Sequence, residues 1–133
     1  MNTTSSIAVV VVVASLLAGC GESADCSKSD VLATVKRLFE EREFGIGFKM
    51  PPGIILVQEK SATYLSSDKQ TNTARCSVIV TVDLIQLLKA TQPVTDEQVA
   101  RMKRTGQETS KDTLVNYTVQ TLASGESYIT VLP

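Results

Sequence analysis

The chain has 133 residues, 13 basic and 14 acidic side chains, a formal net charge of −1, and neither histidine nor tryptophan. So even a balance argues against a nucleic-acid partner and against an electrostatic membrane-binding surface. Without histidine there is no Ser-His-Asp triad and no Cys-His pair, and no G-x-x-x-x-G-K-[ST] phosphate loop occurs.

The first feature in chain order is an apolar run at 7–18, broken only by Ser15 and containing five consecutive valines. It is too short for a membrane-spanning helix, which needs about 20 residues. It matches the core of a secretory leader, about 7–15 residues. The run closes on Leu17-Ala18-Gly19-Cys20. This tetrapeptide resembles the lipobox of bacterial lipoproteins: an aliphatic residue, two small residues and a cysteine. Unlike the usual leader, residues 1–6 carry no Lys or Arg. A plain secretory signal and a retained anchor helix are the competing readings.

The resemblance implies that residues 1–19 are a signal peptide, that Cys20 is lipidated, and that residues 20–25 tether a single small domain at 26–133. It places the protein on the bacterial cell envelope, attached to the membrane through lipid. In enterobacterial lipoproteins an aspartate after the cysteine favours inner-membrane retention. Gly21 therefore leans toward the outer membrane, facing the periplasm.

Cysteine use follows from that reading. With Cys20 given to lipid, Cys26 and Cys76 remain, and an oxidising compartment pairs two such cysteines. The bond closes a loop of roughly 50 residues, worth about 4 kcal/mol in the chain-entropy model. Two unpaired buried thiols are the alternative. Zinc is disfavoured because two isolated cysteines without histidine make an incomplete tetrahedral site. No metal and no cofactor are expected.

In the remaining chain, Ser27 and Asp30 read as the start of a helix over 28–44. Its apolar stripe is Val31, Leu32, Val35, Leu38 and Phe39, and Lys36–Glu40 and Arg37–Glu41 are ion-pair neighbours. Gly45 and Gly47 stop it. The next stretch interleaves Phe44, Ile46, Phe48 and Met50 with glycines and ends in Pro51-Pro52. Two roles are open to it. One is a connecting loop whose apolar side chains plug the core; the other is an apolar surface offered to a protein partner.

A strand is predicted over 54–64, then a polar hairpin tip over 66–73. The clearest strand is 74–85, with Cys76, Val78, Val80, Val82 and Leu84 on one face. Cys76 therefore faces the core, and a bond to Cys26 bolts the helix start to the sheet. Residues 86–91 fit either a continued strand or a helical turn. Thr95-Asp96-Glu97-Gln98 has the form of a capping box for a short helix over 96–104, whose Arg101, Lys103 and Arg104 read as a solvated basic face. Strands at 114–122 and 128–132 flank a turn. A three-residue loop with left-handed Gly125 pairs Val119 with Ile129 and Tyr117 with Val131, collecting apolar side chains on one face.

These elements predict an α+β fold, a four-stranded antiparallel sheet with one long amphipathic helix on one face. The order resembles cystatin-like folds at the level of architecture, which gives no function. The order Cys, helix, strand with Cys and terminal hairpin through Val115-Asn116-Tyr117-Thr118-Val119 is similar to small uncharacterised proteobacterial lipoproteins. The carboxylates, Asp83 and Glu59 among them, have no evident cleft between them, so no catalytic residue is assigned. The functional expectation is a non-catalytic binding module, an inhibitor or immunity-type protein acting on an unidentified envelope-targeting protein. The alternative is a structural accessory of an envelope or secretion assembly.

Overall fold

A computed structural model describes residues 25–47 and 49–133. The expected leader, the expected lipidation position Cys20, the expected tether up to residue 24 and Phe48 lie outside the described residues. In chain order the elements are α1 (Ser29–Phe44), β1 (Ile55–Asp68), β2 (Thr73–Asp83), α2 (Leu84–Thr91), α3 (Asp96–Arg104), β3 (Ser110–Thr121) and β4 (Ser127–Val131). The strands form one open antiparallel sheet in the order β1-β2-β3-β4. The fold is α+β as expected; besides α1, the described residues include the short helix expected over 96–104 and a further one, α2, where a continued strand or a helical turn was open.

Alternation along the strands decides which face is buried. Ala74, Cys76, Val78, Val80 and Val82 of β2 and Val115, Tyr117 and Val119 of β3 all point to one side and are buried. Val31, Leu32, Val35 and Phe39 of α1 cover them, and Val57, Tyr64, Ile129 and Val131 close the edges. Leu38, expected on the same stripe, is only half-buried; it borders a shallow crevice against β4. Beyond it, the Arg42 guanidinium donates to the Leu132 carbonyl at 2.8 Å and lies 5.8 Å from the Phe39 ring centre.

The two cysteines are bonded, with Cα atoms 5.7 Å apart and both residues fully buried. Beside the bond, the Tyr117 hydroxyl donates to the Cys26 carbonyl at 2.6 Å. Tyr117 sits opposite Cys76 in the β2–β3 register, so one spot on the sheet grips the chain twice, covalently and by a buried hydrogen bond. Burial pushes the Tyr117 phenol up to about 12.

Several boundaries differ from the sequence reading. Residues 25–27 are helical and Lys28 is not, so the N-cap of α1 falls on Lys28 and carries no side-chain cap bond. The Ser27 cap is thus corrected: the chain must first turn to bring Cys26 onto Cys76. Strand β1 runs on to Asp68, because Ser66, Ser67 and Asp68 still pair through backbone with Arg75, Ala74 and Thr73. Strand β2 ends earlier than read. The Asp83 carboxylate accepts from the Ile85 and Gln86 amides at 3.1 and 3.0 Å, turning Leu84 and Ile85 into the start of α2. The capping box is present: Gln98 donates its amide to the Thr95 hydroxyl while its side chain accepts from the Thr95 amide. The last hairpin pairs Val119 with Ile129 and Tyr117 with Val131, with Gly125 at φ 85°, as the apolar phase required.

Two stability predictions follow from the Cys26 anchorage. The bond joins residues 50 apart in sequence, and its loss costs about 4 kcal/mol in the chain-entropy model, so reduction lowers the melting temperature markedly. Tyr117→Phe leaves the buried Cys26 carbonyl without its donor and costs about 1–3 kcal/mol in chemical denaturation. The phenol gives a pH signature too. Between about 10, its unfolded value, and about 12 the unfolded chain has released a proton that the native one keeps, so stability falls as pH rises through that window. Tyr117→Phe flattens this contribution.

Candidate functional site

The other face of the sheet is bare. On the opposite phase from the core, β1 presents Leu56 and Gln58, β2 presents Arg75, Ile79 and Thr81, and β3 presents Asp112, Leu114, Asn116 and Thr118. Of the outward residues of β2, only Ser77 is buried. Leu56 and Leu114 are each 62% exposed, and Ile79, opposite Leu114 in the register, is half-buried between the neighbouring strands. The three lie in adjacent rows across β1, β2 and β3. Ile79 and Leu114 are direct cross-strand neighbours, and Leu56 stands one row away, diagonal to Ile79.

A polar ladder runs between Leu56 and the Ile79–Leu114 pair. The Gln58 amide donates to the Thr81 hydroxyl at 2.7 Å, which donates to the Asp112 carboxylate at 2.7 Å. These bonds hold the side chains flat against the sheet, so the outer face offers a fixed donor and acceptor array beside its exposed leucines. Toward the β1–β2 turn the face becomes a hydroxyl-rich groove of about 370 Å³ lined by Ser66, Thr71, Thr73, Arg75 and Thr118, with Asp68 on one side. Arg75 is exposed there and forms no ion pair among the described residues. The exposed leucines and the fixed Gln58–Thr81–Asp112 array suit recognition of a protein surface.

Strand β1 is an edge, and its local geometry keeps it from adding a foreign strand. Register is lost between Gln58 and Thr63 and again between Tyr64 and Ser66. Within the first irregularity the Ser61 hydroxyl donates to the Gln58 carbonyl at 2.6 Å and accepts from the Ile79 amide at 2.8 Å, replacing a missing backbone acceptor. Bulges with exposed charges such as Glu59 and Lys60 are the usual protection of an open edge. Strand addition at the β1 edge is therefore disfavoured.

In the loop with Phe44, Ile46, Phe48 and Met50, for which a core-plugging and a partner-binding role were open, the described residues do not share one environment. Phe44 and Met50 are half-buried and pack against the core cluster. Ile46 is 92% exposed between Gly45 and Gly47, both at positive φ. Phe48 lies outside the described residues. Sequence reasoning missed Leu56 and Leu114, although the signal was present. Each falls out of phase with its inward-facing neighbours, Leu114 between Thr113 and Val115 and Leu56 between Ile55 and Val57.

Asp83, the strand-end carboxylate, is a helix cap. Arg101, Lys103 and Arg104 are exposed on α3. Cys26 and Cys76 are spent on each other, and among the described residues no group of three or more His, Cys, Asp or Glu side chains converges. No described helix is long and apolar enough to cross a membrane. Comparison with known proteins finds no matching family model, no matching curated protein and no matching solved structure.

The bare face makes a direct stability prediction. Leu114→Ser changes unfolding free energy by no more than about 0.5 kcal/mol, the usual range for a surface change. Val115→Ala, one residue along, costs about 2 kcal/mol by opening the core. Equal losses at the two positions, measured by urea unfolding, would show the face to be covered.

Proposed function

We propose that this protein is a lipid-anchored, non-catalytic binding module of the bacterial envelope, attached through Cys20 and recognising a protein partner with the outer sheet face. The observation that carries the reading is the one-sided sheet: Leu56, Ile79 and Leu114 stand uncovered beside a fixed Gln58–Thr81–Asp112 ladder. Monomeric proteins tolerate scattered exposed leucines, but neighbouring ones interleaved with oriented polar groups suit an interaction site. The buried disulfide supports an exported location, since such bonds persist in oxidising compartments.

An inhibitor or immunity-type role against an envelope-targeting protein fits this arrangement. A rigid stapled scaffold loses little conformational freedom on binding, which favours tight capture. Placement at the outer membrane, facing the periplasm, completes the reading, from Gly21 after the lipidated cysteine.

Two experiments test it. Radiolabelled palmitate enters the protein in growing cells and is lost in Cys20→Ala, which yields a folded soluble domain. A photo-crosslinking residue at Leu114 traps a discrete envelope protein, whereas the same residue at Glu97, exposed on α3, does not. Loss of the adduct in Leu56→Lys, with melting temperature unchanged, assigns the contact to this face. Equal crosslinking from both positions would remove the outer face from the reading.

A further inference from the structure

The fold fixes how the domain stands on its membrane. Helix α1 starts where Cys26 is bonded to Cys76, and near its other end Phe39 and Phe44 share a crevice with Val82 and Leu84. It therefore runs along the sheet from the Cys76 row to the Val82 row. At one end of the sheet lie both tight turns, between β1 and β2 and between β3 and β4. They are tied together by hydrogen bonds from Thr121 to Asn72 and from Gln120 to Thr71. At the other end lie α2, α3 and the loop after α1.

Resting on the assignment of Cys20 as the anchor, the reach of the tether is short. Six residue steps separate Cys20 from Cys26, at most about 20 Å when extended. Cys76 is three strand residues, about 10 Å, from the turn end at Thr73, and seven residues, about 23 Å, from the Asp83 end. The helices and loop extend that far end further still. An anchor in the bilayer therefore reaches Cys26 with the turn end down, and falls short with the helix end down.

The turn end also carries apolar side chains that the core does not use. Leu122, in the β3–β4 turn, is 40% exposed, and Tyr128, opposite Gln120, is 62% exposed. An exposed leucine beside a tyrosine is the pairing that settles at the boundary between acyl chains and headgroups, ring in the apolar layer and hydroxyl in the wet one. Nearby charges are mixed, with Lys69 and Arg75 against Asp68 and Glu126, so contact does not depend on anionic lipid.

We infer that the turn end of the sheet is a membrane-contact surface, with Leu122 and Tyr128 seated in the lipid interface and the outer sheet face standing upright and free. The absence of tryptophan from the natural chain makes this directly readable. Full-length acylated protein carrying a single Leu122→Trp, Tyr128→Trp, Ile46→Trp or Leu114→Trp substitution is placed in phosphatidylethanolamine–phosphatidylglycerol vesicles whose acyl chains are brominated. Acylation is verified by intact mass. Emission from the Leu122 and Tyr128 positions falls several-fold relative to unbrominated vesicles and shifts to shorter wavelength, while the Ile46 and Leu114 positions change little. In acylated protein, unquenched emission from the first two positions overturns the inference and leaves the anchor intact, as does stronger quenching at Leu114, which would lay the sheet face on the bilayer. A mass lacking acyl chains overturns the anchor assignment and this inference with it.

Discussion

The structure depends on one buried contact: Cys26 joined to Cys76, with the Tyr117 hydroxyl closing on the Cys26 carbonyl. A small domain has little core to spend, and this one leaves half of its sheet uncovered. Its apolar burial is concentrated between α1 and one face of β2 and β3. Fixing the start of α1 to the sheet sets the helix position before any packing is scored. The remaining stripe, Val31, Leu32, Val35 and Phe39, then falls onto the valines of β2. Exposed ion pairs such as Arg37–Glu41 at 3.0 Å add little to this, because solvent screens them.

The same economy creates the candidate binding surface. Helix α1 covers one face and α2 adds Leu84 and Leu87 to the same core, while Leu56 and Leu114 on the other side stay exposed among the described residues. The Gln58–Thr81–Asp112 ladder gives that bare face a defined shape, and the Ser61 bond across the β1 irregularity discourages strand addition at the edge. Read with an anchor at Cys20, the sheet stands on its turns and presents this face laterally. Membrane attachment and partner recognition then occupy different parts of one small domain.

Much of the fold was legible because strands alternate and hairpin loops obey phase. Tyr117 with Val131 and Val119 with Ile129 followed from requiring apolar side chains to share a face. The disulfide followed from counting cysteines and from the phase of Cys76. The errors arose where backbone hydrogen bonding overruled side-chain character. Ser66, Ser67 and Asp68 look like a turn yet pair as strand, since the ladder uses amides and carbonyls that every residue supplies. Leu84 and Ile85 look like strand yet begin α2, since Asp83 caps them. Composition left two roles open at the 44–50 loop. Glycines between apolar residues say that a chain turns sharply, not which side chains turn inward, and Phe44 and Met50 went to the core while Ile46 did not.

The central claim is a division of labour among three cysteines, one for the membrane and two for the fold. Non-reducing peptide mapping of protein purified from its own membranes tests it most directly. The expected result is a linked pair of peptides containing Cys26 and Cys76 and an N-terminal peptide that begins at Cys20 and carries the mass of acyl chains. A disulfide from Cys20 to either partner, or free thiols at Cys26 and Cys76, would contradict it.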